Sequence, residues 1–186
     1  MKTALILIDI QNDYFEGGKS ELYQSENAMQ NAEKILQLFR QHKLPIFHVQ
    51  HINTFENAPF FSQNSYGAEI YDKVKPLAET NEKLIIKHVP NAFFDTSLKV
   101  DLVDKGIEHI VICGMMTHMC IDTTVRAAKD LGFIVTLLND ACTTKDLEIN
   151  DEVIPAQIAH KAFMASLNGV FANVQMTDDF LNSFVL

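Results

Sequence analysis

Three residues in this sequence could carry out a reaction together: an aspartate, a lysine and a cysteine, each placed where an apolar run ends. Asp9 closes the run ALILIDI, Lys87 lies near the end of KLIIKH, and Cys120 follows the run HIVICG by six residues. A deprotonated thiol is a strong nucleophile, and a carboxylate within reach can take its proton and later return it to a leaving amine. Cys120 also opens a segment of helical spacing through Val125, Ala128 and Leu131. The unpaired N–H groups at a helix N-terminus favour thiolate over thiol, and a nearby ammonium strengthens that effect. Each residue has a plainer reading: a turn or cap for Asp9, an exposed strand end for Lys87, a small buried hydrophobe for Cys120. Their shared position in the chain pattern is what favours chemistry.

The elements that must position them follow from hydrophobic periodicity. Apolar runs of strand length occupy 4–10, 45–52, 83–88, 109–114, 133–140 and 169–175. Most are continuously apolar, as expected when helices cover both faces of a parallel sheet. Between them lie segments of helical period at 26–42, 97–105, 119–131 and 151–167, the last through Val153, Ile154, Ile158, Phe163 and Leu167, with a short closing helix over 177–186. This alternation predicts an α/β protein with a three-layer, doubly wound, six-stranded parallel sheet. In such a sheet ligands bind beyond the carboxyl ends of the strands. The three reactive residues all fall at that level. Two long connections, 11–24 and 53–66, have the length of lids or binding loops. No repeat or linker-like shift divides residues 1–186, so one domain is expected.

Composition narrows the function classes. A net charge of -9 repels phosphate backbones, and no stretch concentrates Lys or Arg, so nucleic acid is not an expected partner. No apolar run approaches the roughly 20 residues needed to span a bilayer, and the N-terminal run carries Asp9 without a cleavage pattern. Three cysteines, Cys113, Cys120 and Cys142, cannot all pair within one chain, which suggests a reducing, cytoplasmic setting. Cys113 and Cys142 are read as inert.

Three ordered blocks resemble the isochorismatase-like cysteine hydrolases. LILIDIQNDYF (5–15) is similar to that family's Asp-x-Gln-x-Asp-Phe opening, IIKHVPNAFFDTSL (85–98) to its Lys-x-x-x-Ser-x-Phe pattern with Asn91 in place of the serine, and VICGMMTHMC (111–120) to its Gly-x-x-Thr-x-x-Cys signature. The resemblance implies a catalytic triad of Asp9, Lys87 and Cys120, a sheet of order 3-2-1-4-5-6, and a cis peptide between Met115 and Met116. It further implies an oxyanion hole from the Met116 and Cys120 N–H groups, and a symmetric homo-oligomer. The expected reaction is cleavage of a C–N bond in a small amide, carbamoyl or urea-type molecule through a Cys120 thioester.

Phe15, His51, Phe93, Thr117 and His118 are the expected substrate-contacting residues. No cofactor is expected. Some relatives hold a divalent metal after the second strand, but His48 and His51 would point to opposite faces of a strand, so no metal site is expected either. Two other readings stand beside this one: a vinyl-ether hydrolase, which the presence of Cys120 disfavours, and an oligomeric binding protein with a vestigial site.

Overall fold

The computed structural model describes residues 1–78 and 81–184. In chain order the elements are β1 (Thr3–Ile8), α1 (Ser25–Gln41), β2 (Ile46–His51), β3 (Glu82–Lys87), α2 (Leu98–Asp104), β4 (His109–Met115), α3 (Asp122–Asp130), β5 (Ile134–Thr143), β6 (Leu147–Ile149), β7 (Glu152–Ile154), α4 (Ala156–Leu167), β8 (Asn173–Gln175) and α5 (Thr177–Ser183). The last two positions of the predicted helix over 177–186 lie outside the described residues.

Six strands form one sheet of order β3-β2-β1-β4-β5-β8, and every pairing in it is parallel. The spatial order matches the expected 3-2-1-4-5-6, with the sixth sheet strand being the eighth along the chain. Successive connections run outward in opposite directions from β1 and β4. Right-handed crossovers therefore place α1 and α3 on opposite faces and create a crevice between those two strands. The apolar runs fill the interior, where Leu5, Ile6, Ile8, Ile110, Val111, Ile112 and Leu137 are sealed from solvent.

The expectation of a helix over 151–167 is corrected at its start. Residues 147–154 form an antiparallel hairpin of β6 and β7, and α4 begins only after Pro155. Proline biases the residue before it away from helical backbone, which stops the helix there. Val153 and Ile158, whose spacing suggested a buried face, are both exposed; α4 buries Leu167 of that expected face, together with Ala156, Ala159 and Met164. The final strand also shortens from 169–175 to Asn173–Gln175, because Gly169 turns the chain at positive φ (81°) before it. Among the described residues no helix is long and apolar enough to cross a membrane.

Candidate active site

Asp9 follows β1 directly, and its φ of 52° puts it in the left-handed region, which aspartate tolerates better than most residues. Its N–H still donates to Val49 O at 3.0 Å, so the bend begins while the backbone is anchored to β2. Two residues on, Gln11 is fully buried and grips the end of β2: its Nε2 donates to His51 O (2.9 Å) and Ala68 O (2.7 Å), and its Oε1 accepts from His51 N–H (2.8 Å). Lys87 is the last residue of β3 and lies in register with His51.

Cys120 arrives from β4 by a tighter route than a helix start. The Met115–Met116 peptide is cis, and Thr117–Ile121 form one π-helical turn before α3 begins at Asp122. Met116 O accepts from both Met119 N–H (3.1 Å) and Ile121 N–H (3.2 Å), which holds that turn closed. Gly114 makes the approach to β1 possible. With φ at 133°, a Cβ there would sit 2.0 Å from Ile8 O.

These routes converge. Lys87 Nζ lies 2.7 Å from Asp9 Oδ2, 3.2 Å from Cys120 Sγ and 2.9 Å from His51 Nδ1. The three side chains expected to react are all but sealed: Asp9 is 0%, Lys87 1% and Cys120 5% exposed. The Asp9–Lys87 contact is an ion pair by distance but is poorly angled, and neither carboxylate oxygen accepts a well-formed hydrogen bond. Lone pairs on Asp9 thus remain free for another proton. Asp9, His51 and Cys120 converge to within 4.8 Å of one another, but the Lys87 ammonium contacts all three and is itself the cation that this cluster surrounds.

The electrostatics correct the idea of a preformed thiolate. Burial, reinforced by the Asp9 carboxylate, pushes the Cys120 thiol well above the ordinary cysteine range, and Lys87 offsets only part of this. Burial also opposes charge on Lys87, but Asp9 and Cys120 outweigh it and hold the ammonium above the usual lysine value. Cys120 therefore rests as a thiol beside the Lys87 ammonium. Cys113 and Cys142 are buried, and burial raises both thiols, Cys113 to about 12.

The five residues expected to touch substrate are placed unequally. His51 is half-buried against Lys87. Thr117 is fully buried in the cysteine turn, sharing a hydrogen bond with His160 Nδ1 at 2.8 Å. His118 bonds the Thr144 hydroxyl and packs edge-on to Phe163. Phe15 stacks on Tyr71, with centroids 3.9 Å apart, and Phe93 stacks on Phe133 at 6.0 Å. Asn91, the departure from the serine pattern, accepts the Phe93 N–H on its own Oδ1 at 2.9 Å.

Sequence reasoning missed two neighbours. Tyr14 is 1% exposed, its ring packs on Phe60 and Phe61, and its hydroxyl has no hydrogen-bond partner among the described residues. Burial first, and then the nearby acidic side chains of which Asp9 is foremost, raise the pKa of that phenol well above the ordinary tyrosine value. Asp13 ties both long loops together: Oδ2 accepts Phe61 N–H (2.7 Å) and Oδ1 accepts Lys19 N–H (3.2 Å). The Asp-x-Gln-x-Asp spacing held the signal for both, since it carries polar residues into a segment where burial was to be expected.

The Isochorismatase domain model matches residues 3–179, and this chain belongs to the isochorismatase family. The uncharacterized isochorismatase family protein YddQ of Bacillus subtilis is 50% identical over 181 residues, 97% of this chain and 99% of its own length. A crystal structure of a protein assigned to the isochorismatase hydrolases of Oleispira antarctica superposes with a TM-score of 0.93 at 44% identity, covering 98% of this chain and 97% of that one. More distant relatives include nicotinamidase 3 of Arabidopsis thaliana, 25% identical over 86% of this chain and 80% of its own length. Streptothricin hydrolase of Streptomyces noursei is also 25% identical, over 86% of this chain and 62% of its own length.

Proposed function

We propose that the protein is a cysteine hydrolase that cleaves a C–N bond of a small molecule through a Cys120 thioester. The observation carrying this reading is the convergence of Asp9, Lys87 and Cys120 at the carboxyl ends of β1, β3 and β4, with Lys87 Nζ in contact with both partners. Nicotinamidase 3, by its name an amidase, and streptothricin hydrolase, by its name a hydrolase, are relatives that support this reading.

The site's charge state dictates the order of events. Because Cys120 rests as a thiol, its proton must pass to Asp9 as the sulfur attacks. Asp9 has the unengaged lone pairs to receive it. Lys87 stays charged and offsets the negative charge that moves from carboxylate to sulfur and on to the substrate oxygen. The Met116 and Cys120 N–H groups flank the cysteine turn and are assigned to that oxygen; one such donor is typically worth about 10²–10³ in rate. Collapse of the tetrahedral adduct breaks the C–N bond, Asp9 returns the proton to the leaving nitrogen, and water then hydrolyses the thioester. Phe15, Phe93, Thr117 and His118 complete the assigned surroundings.

The test is a screen of small amides, ureas and carbamoyl compounds with mass detection of an adduct on Cys120. A substrate should be turned over by the native protein and leave an acyl mass on that residue, and Cys120→Ala should abolish both. Turnover retained in Cys120→Ala removes the nucleophile from the scheme.

A further inference from the structure

A lysine ammonium has three N–H donors and can accept nothing. Lys87 Nζ pairs by charge with Asp9 Oδ2 at 2.7 Å, donates to Cys120 Sγ at 3.2 Å, and as its third contact reaches His51 Nδ1 at 2.9 Å. The third contact fixes the state of the imidazole: Nδ1 must present its lone pair, so the ring proton belongs on Nε2. That nitrogen lies 3.1 Å from Asn53 Oδ1. The Asn53 amide cannot be turned the other way without losing a bond, because its Nδ2 donates to Phe60 O at 2.8 Å. Gln11 meanwhile holds both the N–H and the carbonyl of His51, leaving the ring little freedom to withdraw.

We propose that His51 is a positioning residue: in the neutral Nε2–H tautomer imposed by Asn53, it takes one N–H of Lys87 and thereby aims another at Cys120 while the ammonium stays against the Asp9 carboxylate. The proposal rests on the cysteine-hydrolase reading above and assigns His51 to the lysine instead of the substrate. It also makes the site sensitive to acid. A doubly protonated ring has no lone pair at Nδ1 and sets a second cation against a buried ammonium, so Lys87 must turn away and release the sulfur. The charged and titratable groups facing His51 are Lys87 at the end of β3 with His88 just beyond it, Asp9 after β1, and Cys120 in the turn after β4. Burial and Lys87, helped by His88, disfavour the ring's second proton and outweigh the opposing pull of Asp9 and Asn53, so its pKa lies below the ordinary histidine value.

Two measurements on the full-length protein decide this. The first is NMR of the His51 ring nitrogens through a pH titration, which needs no substrate. It should show the Nε2–H tautomer and a pKa below about 6.5 that rises in Lys87→Met. The second follows acylation by p-nitrophenyl acetate, in which a bond forms from Cys120 Sγ to the acetyl carbon and p-nitrophenolate leaves, with release from Cys120→Ala subtracted. His51→Ala should slow acylation about tenfold or more through misdirection of Lys87. His51→Gln, which can still accept from Lys87 but cannot titrate, should recover part of that loss and move the acid limb of the rate profile to lower pH. Asn53→Asp, which stabilises the imidazolium, should move the limb to higher pH. An Nδ1–H tautomer, or an acid limb unmoved in both substitutions, overturns the proposal. Equal release by Cys120→Ala and the native protein instead overturns the cysteine reading, and the NMR result still decides the His51–Lys87 contact.

Discussion

Lys87 Nζ stands 2.7 Å from Asp9 Oδ2 with both side chains closed to solvent. A pair so placed is costly to break from one side, because the surviving charge keeps its desolvation penalty and loses its partner; such losses typically run to about 3–5 kcal/mol. Lys87→Met should therefore lower the free energy of unfolding by about that amount. Asp9→Leu combined with Lys87→Met should cost less than the sum of the single changes, since no orphaned charge remains. Urea denaturation of the four proteins closes the cycle. Strict additivity would show that the two groups do not depend on each other.

Thiol reactivity should respond to the same two residues in opposite directions. The Asp9 carboxylate raises the Cys120 pKa and Lys87 lowers it. Asp9→Asn should increase the thiolate fraction and speed alkylation of Cys120 by iodoacetamide at neutral pH, even as turnover is lost. Lys87→Met should slow alkylation. Peptide mass mapping reads out the label at Cys120 separately from Cys113 and Cys142, and rates that shift in the same direction contradict this electrostatic account.

The cysteine turn depends on a missing side chain. A Cβ at Gly114 would lie 2.0 Å from Ile8 O, in a backbone conformation that other residues rarely adopt. Gly114→Ala must push β4 off β1 at the strand ends that carry Asp9 and the turn. The expected cost is at least about 1–3 kcal/mol, with activity reduced further because the displacement falls inside the site. A circular-dichroism melt alongside a rate measurement tests both parts.

A second buried charge cluster sits away from the reactive centre and should govern acid stability. Glu82 accepts from Arg40 Nε at 2.9 Å and from the Leu77 N–H at 3.1 Å, and shares a 2.8 Å hydrogen bond with His48 Nε2. Burial favours the neutral acid, but Arg40, the Leu77 N–H and His48 outweigh it and hold the Glu82 pKa below the ordinary 4.5. A folded-state pKa below the unfolded one means the stabilisation is present in full above pH 4.5 and disappears as pH falls through the folded value. Glu82→Gln should accordingly be less stable than the native chain at pH 7, with the gap narrowing in acid. Urea midpoints at pH 7 and near pH 3.5 measure this, and a gap that widens in acid would falsify the assignment.

The frame of this fold was legible because its strands are nearly uninterrupted apolar runs; ALILI and HIVIC can be little else than buried strands. The hairpin over 147–154 escaped for a local reason: Val153 and Ile154 also satisfy a helical spacing, and only Pro155 marks the break. Asp9, Lys87 and Cys120 were found from chain position and motif, and the structure brings them together. Their protonation was not legible. A helix N-terminus suggests a thiolate, whereas the sulfur lies a turn earlier and is buried beside a carboxylate, and desolvation is a property of the packed molecule. The same holds for His48 and His51, three apart on β2: one is spent on Glu82 and the other on Lys87, at the two ends of the neighbouring β3.

The bracing by Asp13 has a consequence for how this scaffold can diversify. Asn53 N–H donates to Phe61 O, and Phe61 N–H donates to Asp13, so the stretch 54–60 is cinched at its neck independently of what its apex contains. The exposed residues 54–57 at its tip can be swapped or lengthened without touching the knot beneath, whereas Ala58 and Phe60 belong to it, so variation in this loop has a place to accumulate apart from the residues that fix its base.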